Sequence, residues 1–189
     1  MTLESKTDDQ LMLSYASGDL AAFEELFRRY GKRLYNLFLR SVNREDLAQD
    51  LLQECFLKVI EARDRYRPRT AFSSWIFTIA MNLIRDTYRR RQRRTIETTG
   101  NLEAANLETR SSDGDPHKDL EKSQMSAAVA SAMDALPRDQ REVLLLSKYQ
   151  GVPFLEIAEI LQISPAAAKQ KAYRGMQNLR KRLAFLKED

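Results

Sequence analysis

Apolar residues recur along this chain at spacings of three and four. From Asp19, placed to cap a helix with its carboxylate, Leu20, Phe23, Leu26, Phe27, Tyr30, Leu34, Leu37 and Phe38 fall on one face of an amphipathic helix. Leu47, Leu51, Cys55 and Val59 repeat every fourth position in a second, and Trp75, Ile76, Ile79 and Leu83 mark a third that runs toward Arg89. Further on, Met125, Val129, Met133 and Leu136 predict a helix stopped near Pro137, and Val143, Leu146 and Tyr149 another that ends at Gly151. No segment alternates apolar and polar residues as a half-buried strand would. The predicted class is all-α.

The helical period lapses once, over residues 95–123. That stretch has no aromatic residue and gathers Ser111, Ser112, Gly114 and Pro116. It reads as a flexible acidic linker, assigned to 95–120, between a helical domain at 10–94 and a second at 121–187.

Charge sharpens this division. The 189 residues carry 31 Lys+Arg and 27 Asp+Glu, a net of only +4. Residues 1–62 nevertheless sum to −3, residues 63–94 to +8 with ten arginines, and the linker stretch to −4. Residues 164–187 hold seven basic side chains and no acid. Two basic zones therefore flank an acidic connector, the distribution expected of a chain that meets nucleic acid in two places.

Several chemistries are disfavoured. With one histidine, His117, and one cysteine, Cys55, the chain has no zinc-ligand cluster and no disulfide framework. Its six glycines are too scattered for a phosphate-cradling loop. The first ten residues lack a basic-then-apolar leader, and no stretch approaches the roughly 18 apolar residues of a membrane span. The expectation is a cytoplasmic protein that inserts in no membrane, holds no metal or cofactor, and is not an enzyme.

The most readable motif lies near the carboxy-terminus. Glu156–Leu161 forms a short apolar-patterned helix around Ala158; Ser164 then caps a new helix with Pro165 at its first position. Two helices about three residues apart make a helix-turn-helix, whose second helix can enter a major groove. Along that helix Ala168, Ala172, Met176, Leu179 and Leu183 form the core stripe. Ala167, Gln170 and Arg174, flanked by Lys169, Lys171 and Tyr173, form the remaining face. Base-edge donors and phosphate-neutralising charge thus share one surface. A plain packing unit with a solvated basic face is the competing reading.

The other basic zone begins with a loop holding Arg63, Arg65, Tyr66, Arg67, Pro68 and Arg69. It continues into a helix on which Thr78, Asn82, Arg85, Asp86 and Arg89 share a face, with Trp75 near its head and Arg90, Arg91, Arg93 and Arg94 beyond. Phosphate contacts, an amide that can read a base edge and aromatics that can stack suit single-stranded or opening DNA. For Trp75 the alternative of core packing stays open. A third surface has the opposite sign. Asp46, Asp50, Glu54 and Glu61 lie within a face about 80° wide, with Gln53, Phe56 and Leu57 near or beside it. It is either a solvated acidic face or a docking site for a basic protein partner.

Two runs carry a family resemblance. Asp50-Leu51-Leu52-Gln53-Glu54-Cys55-Phe56-Leu57-Lys58-Val59-Ile60, followed by Phe72-Ser73-Ser74-Trp75-Ile76-Phe77-Thr78-Ile79-Ala80-Met81-Asn82 with Asp86 and Arg89-Arg90, resembles region 2 of bacterial extracytoplasmic-function (ECF, group 4) sigma-70 factors of RNA polymerase. Leu136-Pro137, Arg141, Val143, Gly151, Glu156-Ile157-Ala158, Ile163-Ser164 and Leu179-Arg180 resemble the region 4 helix-turn-helix of the same family. The resemblance implies a sigma factor that binds core RNA polymerase and directs promoter-specific initiation. Asp50, Gln53, Glu54 and Phe56 would dock on the clamp helices of the polymerase β′ subunit. Trp75, Asn82, Arg85, Asp86, Arg89 and Arg90, with the loop from Tyr66 to Ser74, would capture the melted minus-ten element. Ser164, Ala167, Lys169, Gln170, Lys171, Tyr173 and Arg174 would read the minus-thirty-five element. It further implies an anti-sigma factor as partner.

One departure stands out. Where the family usually shows a Gly-Thr-Val-Lys-Ser-Arg-like string, this chain has Ala166-Ala167-Ala168-Lys169-Gln170-Lys171. It lacks the threonine hydroxyl and has glutamine, which can pair bidentately with adenine, in place of serine. Two other classes remain open on the residues alone. A stand-alone helix-turn-helix regulator leaves the acidic stripe and the Asn82 surface unexplained. An RNA-binding or nuclease-associated helical protein explains the arginines but not two ordered motifs.

Overall fold

The computed structural model describes residues 2–68, 70–99 and 127–184, the side chains of 94–99 excepted. Arg69, Met125 and the expected linker from residue 100 onward lie outside the described residues. The described residues contain eight α-helices and no strand. They fall in two compact units, one on the helices up to residue 99 and one on those from 127, the last turn of the penultimate helix (Glu159–Gln162) excepted.

The first unit holds α1 (Asp8–Ala16), α2 (Leu20–Val42), α3 (Glu45–Glu61) and α4 (Phe72–Thr99), with short 3-10 turns at Leu3–Ser5 and Arg63–Arg65. Local chemistry sets the helix ends. The Thr7 hydroxyl accepts from Gln10 N–H while the Gln10 side chain accepts from Thr7 N–H, a reciprocal capping box that starts α1. Asp19 caps α2 as expected, accepting from Ala22 N–H at 3.3 Å. Asn43, left-handed at φ 52°, ends α2; asparagine tolerates that region better than most residues.

α2 packs against α1, α3 and α4. Its Leu26, Tyr30, Leu34, Leu37 and Phe38 are buried. So are Leu11 and Met12 on α1, Leu51, Cys55 and Val59 on α3, and Phe72, Ile76 and Phe77 on α4. Each such side chain removed from water contributes roughly 1.5–3 kcal/mol, which is what holds four individually marginal helices together. Burial also pushes the Cys55 thiol up to about 12, so it stays protonated and inert.

Three expectations change. Leu20 and Phe27, placed on the buried face of α2 by period, are 65% and 47% exposed. Leu20 opens the helix, and Phe27 lies over the Phe56 ring, covering it at the cost of its own exposure. α4 runs through Thr99, five residues past the boundary read at 94. Arg and Gln are good helix formers, and the first breaker is Gly100.

The second unit holds α5 (residues 127–134), α6 (Arg138–Leu144), α7 (Phe154–Leu161) and α8 (Pro165–Arg182). α6 runs into a π-helical stretch, Leu145–Tyr149, instead of continuing as one α-helix to Gly151. The wider turn changes the register. Leu146 stays buried, whereas Tyr149, expected on the same apolar face, emerges 37% exposed. Gly151 at φ 66° then reverses the chain, and Val152 N–H closes the turn on the Leu146 carbonyl at 3.0 Å.

One buried carboxylate in the first unit, that of Glu25, is matched by two arginines. The Glu25 carboxylate accepts from Arg28 through Nε and Nη2 and from Arg29 Nε, all at 2.7 Å. Arg29 continues to Asp8 at 2.7 Å and to the carbonyls of Glu4 and Lys6, fastening the amino-terminal segment onto α2. The Arg28 and Arg29 guanidiniums hold Glu25 down to about 2 from an ordinary 4.5. A lowered carboxylate pKa contributes stability that is complete above about pH 4.5 and is lost as pH falls toward 2. Acid titration of stability by urea unfolding should therefore show a loss across that window, and Glu25→Gln should lower stability at neutral pH and flatten the loss.

Candidate functional site

The acidic face of α3 is exposed along its length. Asp46, Asp50, Gln53, Leu57 and Glu61 are exposed and Glu54 is half-buried. Asp46 takes the Arg44 guanidinium, which holds its carboxyl below the ordinary range, and Glu54 pairs with Lys58 at 3.8 Å. Such solvated pairs stabilise little and leave the stripe available. Phe56 is the exception. It is 5% exposed, its ring packed on Phe23 at 5.9 Å and Phe27 at 4.7 Å. Its position lies about 80° round the helix from Asp46, toward α2, whereas Leu57 falls within the stripe at 49% exposure. Leu57, not Phe56, is the apolar side chain beside these acids. Elsewhere, Phe27, Gly31, Lys32, Tyr35 and Leu52 line a shallow groove between α2 and α3 that the spacing of one helix could not reveal.

On α4, Trp75 combines its two open readings. It is half-buried, with Tyr66 at 5.3 Å and Phe72 at 5.6 Å between ring centroids, and its remaining surface lines a pocket of about 300 Å³. Ala62, Arg65, Tyr66, Arg67 and Thr70 complete that pocket. Asn82 is exposed on the same helical face, followed by half-buried Arg85 and Asp86 and exposed Arg89 and Arg90. Asp86 and Arg89 pair at 3.1 Å, one turn apart. The structure thus brings Trp75, Asn82, Asp86 and Arg89 onto one surface beside an aromatic-walled, arginine-rimmed pocket. Tyr66 and Thr70 join the site through the loop. Nothing in the sequence spacing fixes their distance from Trp75.

The helix-turn-helix takes the expected form. Gln162 adopts φ 57° after α7, and Ile163 N–H bonds the Ala158 carbonyl at 3.0 Å. The Ser164 hydroxyl oxygen accepts from Ala167 N–H at 3.1 Å, which leaves its own proton to donate outward. Lys169, Gln170, Tyr173 and Arg174 are exposed along α8, and Ala167 is half-buried. Tyr173 is held by Gln177, whose amide donates to the phenol oxygen at 2.7 Å. Lys171 is placed differently from its neighbours. Its ammonium pairs with Asp139 on α6, because its position lies between the outer face and the buried stripe. The pair holds the Asp139 carboxyl below its ordinary range.

α8 lies on α6 through small residues. Ala168, Ala172 and Gly175 are its buried positions, and the Asn178 amide donates to Gln140 at 2.8 Å. A methyl group added at Gly175 would stand 2.9 Å from Leu144 Cδ1 and 3.3 Å from Gln140 Cβ. Gly175→Ala gains about 1 kcal/mol of helix propensity and loses roughly 1–3 to overpacking. We expect a net destabilisation on the order of 1 kcal/mol, read as a lower urea midpoint by far-UV circular dichroism.

Comparison with known proteins gives a consistent picture. Residues 26–94 match the family model of sigma-70 region 2, and residues 126–179 match that of sigma-70 region 4. The chain is 36% identical over 175 residues to the RNA polymerase sigma factor CarQ of Myxococcus xanthus, covering 93% of this chain and 97% of that one. It is 32% identical over 172 residues to the ECF RNA polymerase sigma factor SigE of Mycolicibacterium smegmatis, covering 89% and 65%. Among solved structures, CnrH in complex with the cytosolic domain of CnrY matches with a TM-score of 0.70 at 26% identity, over 97% of this chain and 99% of that one.

Proposed function

This chain belongs to the extracytoplasmic-function group of the sigma-70 family, and from that premise we propose that its two helical units divide promoter reading between them while α3 docks the polymerase. The α3 stripe of Asp50, Gln53, Glu54 and Leu57 engages the β′ clamp helices of core RNA polymerase. The loop and outer face of α4 hold the melted minus-ten strand, and the outer face of α8 reads minus-thirty-five. The protein catalyses nothing itself; it places the polymerase and stabilises the opened strand, in the cytoplasm where polymerase and DNA are.

One observation carries the reading. A half-buried tryptophan stands at the wall of a pocket rimmed by Arg65 and Arg67 and continues into Asn82, Asp86 and Arg89 on the same face. Aromatic stacking is worth roughly 1–3 kcal/mol per unpaired base and needs no base pair, while the arginines supply phosphate neutralisation. Duplex DNA offers its bases only at groove edges, so a pocket of this kind favours an opened strand. On α8 the exposed amide and guanidinium of Gln170 and Arg174 suit a major groove. Relatives such as CnrH bind a protein partner, the cytosolic domain of CnrY. We include an anti-sigma partner of that kind in the proposal.

Reconstitution with core polymerase and a genomic promoter library tests this function. Promoter-specific initiation is expected, and the double variant Asp50→Ala, Glu54→Ala should bind core polymerase at least about tenfold more weakly with unchanged thermal stability. No binding to core, or wild-type binding by the double variant, would leave a stand-alone regulator as the better account. Separately, Gln170→Ala should relax the minus-thirty-five preference at one position by about 1–3 kcal/mol in a promoter selection. An unchanged preference would remove Gln170 from base readout.

A further inference from the structure

Two carboxylates stand side by side in the first turn of α1, and they face different partners. Asp8 receives the Tyr30 hydroxyl and the Arg29 guanidinium and so joins α1 to α2. Asp9 reaches elsewhere. Its Oδ1 accepts from the Tyr66 hydroxyl at 2.8 Å and from Phe72 N–H at 3.1 Å, partners 57 and 63 residues further along the chain. Phe72 is the first residue of α4, whose N–H has no acceptor inside its own helix, so Asp9 caps α4 from a different helix. One oxygen therefore pins the loop of the proposed base pocket at both of its ends.

The consequence falls on the pocket wall. Tyr66 is 5% exposed, and a hydroxyl at that depth costs free energy unless it is hydrogen-bonded. Asp9 is the acceptor that allows the ring to sit there, edge-on to Trp75 at 5.3 Å and to Phe72 at 6.3 Å. Burial first, and the Asp9 hydrogen bond next, push the Tyr66 phenol well above its ordinary value. It remains a donor to Asp9 across the working range of pH. Without that acceptor the phenol has a reason to turn toward water, and Trp75 loses the ring that sets its tilt.

We propose that Asp9 is a positioning residue for base recognition: through Tyr66 and the amino-terminus of α4 it holds the Trp75 pocket open in the shape that takes one unpaired base. The inference rests on the reading of this pocket as a seat for the melted promoter strand. It assigns a specificity role to a side chain in α1, outside the loop and helix that would touch DNA.

The chain has a single tryptophan, so Trp75 emission reports on the pocket directly. Full-length protein would be titrated with four single-stranded homopolymeric octanucleotides, one of each base, at several salt concentrations. Wild type should be quenched with unequal affinities for the four. Asp9→Ala should bind the preferred octanucleotide about tenfold more weakly and level the preference, while the slope of log affinity against log salt stays unchanged because the arginine–phosphate contacts remain. Asp9→Asn keeps the Oδ1 acceptor and should restore preference and quenching. Tyr66→Phe combined with Asp9→Ala should cost less than the sum of the two. If no octanucleotide alters wild-type emission, the pocket reading falls and this inference with it. If wild type discriminates and Asp9→Ala discriminates equally, melting at a lower temperature only, Asp9 is a structural tie and the pocket reading survives.

Discussion

The first unit depends on how two adjacent carboxylates are hydrogen-bonded. Asp8 and Asp9 open α1, a helix whose apolar face contributes only Leu11, Met12 and Tyr15 to the core. Burial of those three side chains holds this nine-residue helix to the core, and its polar contacts fix where it sits: Asp8 bonded to Arg29 and Tyr30, Asp9 bonded to Tyr66 and Phe72 N–H. A carboxylate near the protein interior is tolerated only with donors matched to it. These partners lie on α2, in the loop before α4 and at the start of α4, so satisfying two side chains fixes three other elements.

The same constraint shapes the surfaces. Where charge is matched inside the unit, as for Glu25 with Arg28 and Arg29, it becomes part of the fold. Where it is left exposed, as for Asp50 on α3 or Arg90 on α4, it is available to a partner. Phe56 and Leu57 show the boundary between these fates one residue apart: a 100° step turns Phe56 under Phe23 and Phe27 and leaves Leu57 beside the acids. Lys171, a basic residue in a basic helix, pairs with Asp139 on α6.

In the second unit the helix-turn-helix depends on close approach. Ala168, Ala172 and Gly175 let α8 lie against α6 so closely that one methyl group at Gly175 would meet Leu144. Small buried residues on one side free the opposite side for long polar ones. Gln170 and Arg174 point outward because the inward stripe is kept thin.

The sequence by itself determined the helical class, the caps at Asp19 and Ser164, the helix-turn-helix and the opposed charges of α3, α4 and α8. These are properties of one helix at a time, set by a period of 3.6 residues and by local capping chemistry, which spacing reports faithfully. What a second helix decides lay beyond the spacing: the burial of Phe56 under Phe23 and Phe27, the exposure of Phe27 over that ring and the pairing of Lys171 with Asp139. The extension of α4 to Thr99 follows instead from the absence of a breaker before Gly100. Only the tertiary structure decided that Asp9 meets Tyr66 and that Trp75 is at once packed and open. The first of these joins residues 57 positions apart, and a pattern read along one helix carries no information about which distant side chain will satisfy a buried hydroxyl.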